Sequence, residues 1–102
     1  MLFRSMVHAK SIALIAERSA HIRDRFGVAD LRVFGSVARG ESTAGSDIDV
    51  LVTFADRPTF DRFMDLKAYL EELLGTRVDL VTRAALRPEL RPKIEREAIR
   101  VA

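Results

Sequence analysis

Cysteine is absent from this 102-residue chain, which rules out a disulfide framework and a thiolate zinc site and suits a reducing compartment. No run approaches the ~18 consecutive apolar residues of a membrane span. The first twenty residues, MLFRSMVHAKSIALIAERSA, carry charges at Arg4, Lys10, Glu17 and Arg18 and show neither an h-region nor a cleavage site, so they read as mature sequence of a cytoplasmic protein. Internal repeats, low-complexity tracts and linkers are also missing. With 48% hydrophobic and 31% charged residues, the composition is that of a folded chain, and its length allows one small domain, residues 1–102.

The net charge of +2 conceals a segregation along the chain. Residues 1–40 hold seven basic and three acidic groups, residues 41–82 four and nine, and residues 83–102 six and three. A nucleic-acid binder more often carries a basic stripe through its motif, whereas an acid-rich centre between basic flanks suits a metal held beside an anionic ligand. An ordinary solvated surface would look the same by charge alone.

Periodicity supplies the elements. Ile12, Ile15, Ala16, Ile22 and Phe26 recur at helical spacing, with Gly27 as the stop, and predict one first helix. Leu31–Phe34 and Ile48–Phe54 read as strands, and the SVAR segment after Gly35 could open a short helix between them. Thr59 is placed to cap a helix whose buried stripe is Phe63, Leu66, Leu70, Leu73 and Leu74, closed by Gly75. A third strand is predicted over Arg77–Val81, and a last helix starts at Pro92. Leu86, Leu90 and Ile94 are expected in the core, or at an interface if that helix is incompletely covered. The basic tail around them is a solvated helix face or a patch for an acidic protein or a nucleotide. Together these elements predict an α+β, two-layer domain: a small mixed sheet with helices packed on it.

The chemistry is concentrated in VFGSVARGESTAGSDIDVLV, from Val33 to Val52. In a strand, Asp47 and Asp49 share a face, ~6–7 Å apart. Two carboxylates so placed repel each other unless a cation lies between them, and Mg²⁺, which takes one or two carboxylates plus water and phosphate oxygens, suits the pair. Asp79, in RVDLV, points away from Val78 and Leu80; if its strand pairs beside Ile48–Phe54, it reaches the same face. Three carboxylates could then hold two ions for phosphoryl or nucleotidyl transfer. Gly35 permits close approach of the backbone to an anion, Ser36 adds a hydroxyl and an N–H, and Arg39 could supply a guanidinium. The competing readings are plain: acids often flank a strand as solvated loop residues, Asp79 could mark an edge-strand alternation, and Arg39 could merely pair with Glu41.

Gly35-Ser36, ten residues, then Asp47-x-Asp49, in the run GSVARGESTAGSDIDVLV, resembles the signature of the DNA-polymerase-beta-like nucleotidyltransferases, and in its detail the minimal nucleotidyltransferases paired with HEPT-domain toxins. The resemblance spans most of the chain and includes Asp79 and the ending IEREAIRVA. It implies the nucleotidyltransferase fold, two Mg²⁺ held by Asp47, Asp49 and Asp79, a triphosphate held by Gly35 and Ser36, and lesser nucleotide contacts from Arg39 and Ser46. It also implies transfer of AMP from ATP to a tyrosine hydroxyl of a HEPT-type ribonuclease toxin, which silences the toxin. Two alternatives stay open at this level: an antitoxin that neutralises its partner by complex formation alone, and a transferase acting on RNA ends. The second would need a grip on nucleic acid for which this short chain shows no extra domain.

Overall fold

The computed structural model describes residues 2–35 and 47–102. Among the described residues the elements follow in the order α1 (Leu2–Glu17), α2 (Ser19–Phe26), β1 (Val28–Phe34), β2 (Ile48–Phe54), α3 (Phe60–Leu74), β3 (Val78–Thr82), a 3₁₀ turn (Arg83–Ala85), α4 (Arg91–Glu97) and β4 (Ile99–Arg100). The four strands form one mixed sheet in the order β3-β2-β1-β4. β1 runs antiparallel to both β2 and β4, and β2 pairs with β3 in parallel through the crossover helix α3.

Alternation along the strands assigns the two faces of this sheet. Leu31 and Val33 on β1, Ile48, Val50 and Val52 on β2, and Val78 and Leu80 on β3 are buried, and they pack with Ile15, Ile22 and Phe26 from the first two helices and Leu66 and Leu70 from α3. Three helices therefore cover one face. Burying each such aliphatic side chain contributes about 1.5–3 kcal/mol, so this layer fixes the strand register, and the register decides which residues face the other way. Asp30, Arg32, Asp49, Leu51, Thr53, Asp79 and Val81 occupy that opposite face.

Local chemistry explains the ends of α3. The Thr59 hydroxyl accepts from the N–H of Arg62 at 3.1 Å, and Gly75 adopts φ +69° at the C-terminus, where its N–H donates to the carbonyl of Glu71. Glu71 also reaches forward, its Oε2 accepting from the N–H of Val78 at 3.0 Å, which ties the helix to the start of β3.

Several expectations require correction. The first helical segment is two helices, broken at Arg18 (φ −101°, ψ 10°); Ile15 and Ile22 stand two turns apart, so the apolar stripe stays in phase across the break and hides it. β1 begins three residues earlier than its apolar run suggests, because Gly27 reverses the chain and Val28 is already buried. β4 follows α4, where only a helix was predicted. Leu86 and Ile94 are half-buried and Leu90 is 44% exposed: α4 contributes no buried residue to the core, because the helix layer already fills the other face. The short helix predicted at SVAR lies outside the described residues.

Candidate active site

The acids sit where β2 and β3 begin. The parallel register places Asp49 directly beside Asp79, with Ile48 beside Val78 and Val50 beside Leu80. Lateral neighbours lie one strand spacing apart, ~4.8 Å, and alternation sends both carboxylates to the face that α1–α3 leave uncovered. Asp47 precedes the strand by one residue and is half-exposed, and the N–H of Ile48 donates to the carbonyl of Arg77 at 3.0 Å. This bond anchors the entrance to the strand pair.

Gly35 is the fourth member of this corner. Phe34 pairs with Asp49 across β1 and β2, so Gly35 emerges next to the Asp49 side chain with φ +71°. A Cβ there would fall 2.2 Å from Asp49 Oδ2 and 3.2 Å from its Cγ. The glycine therefore serves the backbone conformation and also keeps clear the space in which the carboxylate stands. Ser36, Arg39 and Ser46 lie outside the described residues.

Asp47 is partnered by a residue the sequence reading did not single out. Arg77 Nε stands 3.4 Å from Asp47 Oδ1, and both groups are at least half-exposed. A signal was available: Arg77 precedes Asp79 by two residues, as Asp47 precedes Asp49, so in a parallel pair they are neighbours. Among the described residues no three His, Cys, Asp or Glu side chains stand close enough together to form a metal cage. The three acids share a rim, with Asp47 neutralised by a guanidinium. This rim still fits Mg²⁺ in its usual mode, because that ion takes only one or two carboxylates and completes its shell with water and phosphate oxygens. The adjacent pair Asp49 and Asp79, with the Cβ-free space at Gly35, offers such a donor set.

Further along the same face, Asp30 accepts from Arg32 through both oxygens, Nε to Oδ1 at 2.8 Å and Nη2 to Oδ2 at 3.1 Å, with Arg100 Nε 3.6 Å away. The hydrogen bonds from Arg32 hold the Asp30 carboxyl below its ordinary value, and the same contact raises Arg32. This cluster links β1 to β4 and borders a cleft of about 340 Å³ that includes Leu51, Thr53, Arg83 and Glu95. The larger described cleft, about 650 Å³, lies at the opposite ends of β2 and β3. None of the described clefts includes the three acids. Ion and phosphate binding depends on converging charge and bare backbone more than on an enclosed apolar cavity, so such a site needs no cleft of this kind.

Comparison with known proteins assigns the class. The family model for the nucleotidyltransferase domain matches residues 17–101, and the chain belongs to this family; it is a nucleotidyltransferase. Among its relatives, the protein adenylyltransferase MntA of Thermococcus cleftensis is 40% identical over 89 residues, 87% of this chain and 90% of that protein. A solved structure assigned as a minimal nucleotidyltransferase superposes with a TM-score of 0.73 at 42% identity, covering 94% of this chain and 93% of the other. The fold is therefore the minimal nucleotidyltransferase fold. A further likeness, of fold alone, is to a complex of a tri-AMPylated HEPN toxin from Shewanella oneidensis with its MNT antitoxin: TM-score 0.63, 19% identity, 89% of this chain and 71% of the other.

Proposed function

We propose that this chain, acting as a single cytoplasmic domain, transfers AMP from ATP to a tyrosine hydroxyl of a HEPT-type toxin and thereby acts as its antitoxin. The observation that carries the reading is the register that sets Asp49 beside Asp79 on the sheet face opposite α1–α3, next to a glycine whose missing Cβ clears the carboxylate. Support also comes from the adenylyltransferase activity named for the Thermococcus relative and from the AMPylated toxin in the Shewanella complex. No described helix is long and apolar enough to cross a membrane.

In this reading Gly35 and Ser36 cradle the triphosphate by their backbone N–H groups, and Arg39 and Ser46 add contacts to it. Asp47, Asp49 and Asp79 would hold two Mg²⁺, Asp47 after exchanging its Arg77 partner for the ion, and the ions would supply positive charge against the phosphate oxygens. Asp79, on the edge strand β3, would take the hydroxyl proton. The phenolic oxygen attacks the α-phosphorus, the bond from that phosphorus to the bridging oxygen breaks, and pyrophosphate leaves. Positioning and electrostatics carry most of such a transfer, so few other side chains are needed.

The test is transfer of label from α-labelled ATP to the co-expressed toxin, read by mass spectrometry of its tyrosines. Wild type labels the toxin, and Asp49→Asn lowers the rate by at least about 10²-fold. Toxin left unlabelled by wild type, yet neutralised equally by Asp49→Asn in cells, would replace this reading with neutralisation by binding alone.

A further inference from the structure

The carboxyl ends of β2 and β3 point away from the acids, and the 650 Å³ cleft opens there. Val52, Phe54 and Pro58 give it an apolar lining, and Arg57, Arg83 and Arg91 bring three guanidiniums to it. Phe54 is five residues along β2 from Asp49, roughly 17 Å at strand rise, so this cleft is separate from the catalytic corner.

Its charges are unevenly matched. Arg83 is paired with Glu95, and Asp56 is paired with Arg62 at 2.8 Å. Arg57 and Arg91 form no ion pair among the described residues, and Arg91 Nε is buried without an acceptor. A carboxylate entering the cleft would meet two guanidiniums that no described acid neutralises. The lining is apolar as well as basic, with Val52, Phe54, Pro58 and Ala84 beside the arginines. Arginine and aromatic side chains around a concave apolar floor are the composition on which protein–protein affinity concentrates. A small anion would satisfy the arginines and leave the apolar lining at Phe54 and Pro58 in water.

We propose that this cleft docks an acidic segment of a partner protein. One carboxylate of the segment pairs with Arg91 and Arg57, and a neighbouring apolar side chain covers the floor at Phe54 and Pro58. Docking at the carboxyl ends of the strands leaves the acids at their amino ends free for nucleotide and acceptor. The proposal requires a protein partner and does not require that AMP be transferred to it.

The experiment follows the full chain by NMR while an acetylated, amidated peptide of sequence DFELD is added, with NFQLN as the neutral control. The acidic peptide should give saturable shifts at the Arg91 Nε–H and at the backbone amides of Phe54 and Thr82. The neutral peptide and the Arg57→Gln/Arg91→Gln variant should each weaken binding by about tenfold or more. Arg91→Lys, which keeps the charge and removes the planar fork, should weaken it also, and Asp49→Asn should bind as wild type does. Retained signal dispersion in each variant confirms its fold. The idea is overturned by shifts that do not saturate, by equal binding of both peptides, or by AMP moving the Arg91 signal while the acidic peptide does not; the last would make the cleft a small-anion site.

Discussion

Replacing Gly35 by alanine tests whether the glycine is held in place by the carboxylate beside it. Two costs are expected. An L-residue at φ +71° loses about 1–2 kcal/mol relative to glycine. The new Cβ, 2.2 Å from Asp49 Oδ2, must also turn that carboxylate off its rotamer, for roughly 0.5–1.5 kcal/mol. Together they give about 2–3 kcal/mol, which in a domain of this size lowers Tm by roughly 10–20 °C. Urea unfolding of four proteins separates the two: wild type, Gly35→Ala, Asp49→Ala and the double variant. With the Asp49 carboxylate gone, the glycine substitution should cost only the backbone share, and the coupling energy should equal the cost of turning the carboxylate. In the catalytic assay, a carboxylate displaced by about 1 Å should slow transfer by about 10²-fold. An equal loss of stability in both backgrounds would show that the carboxylate does not feel this position, and the reasoning would fail.

Other outcomes follow from single contacts. Thr59→Ala removes the hydroxyl that accepts from the Arg62 N–H and should lower stability by about 1 kcal/mol, read by denaturant midpoint at unchanged slope. Leu66→Ala, at a fully buried position between α3 and the sheet, should lower stability by about 2–5 kcal/mol in the same measurement. Asp30→Asn should lower stability at pH 7 by about 0.5–1 kcal/mol. Because the folded carboxyl is held below its ordinary value of 3.8, its contribution is fully present above that value and is lost as pH falls through the lower folded one. Melts of the wild type and Asp30→Asn should therefore converge in acid, and a gap that persists below the ordinary carboxylate range would contradict the assignment.

The sequence made the centre of the molecule legible and its margins less so. β2 was bounded correctly because both its ends carry a chemical signal: an acid at the start and a turn after Phe54. α3 was equally clear, since Thr59 and Gly75 act by local chemistry that needs no knowledge of the fold. The break at Arg18 left no trace in the apolar spacing, and β4 is two exposed residues whose strand character exists only through pairing with Arg32 and Val33. Leu90 left core and interface both open because helical spacing shows which residues share a face, not whether anything covers that face, and its 44% exposure excludes only the core. For the site, Asp79 could be placed by alternation once its strand was taken to lie beside β2, whereas the Asp47–Arg77 pair required the register itself.

That register has an implication for how errors in folding are sorted. Sliding β3 by one residue along β2 would drive Asp79 into the oily layer under the helices and push Val78 and Leu80 out into water. The misaligned chain would be penalised thermodynamically long before any substrate could test it. Folded but inert molecules should therefore be scarce, since fidelity in strand alignment and fidelity in chemistry are enforced by the same greasy contacts.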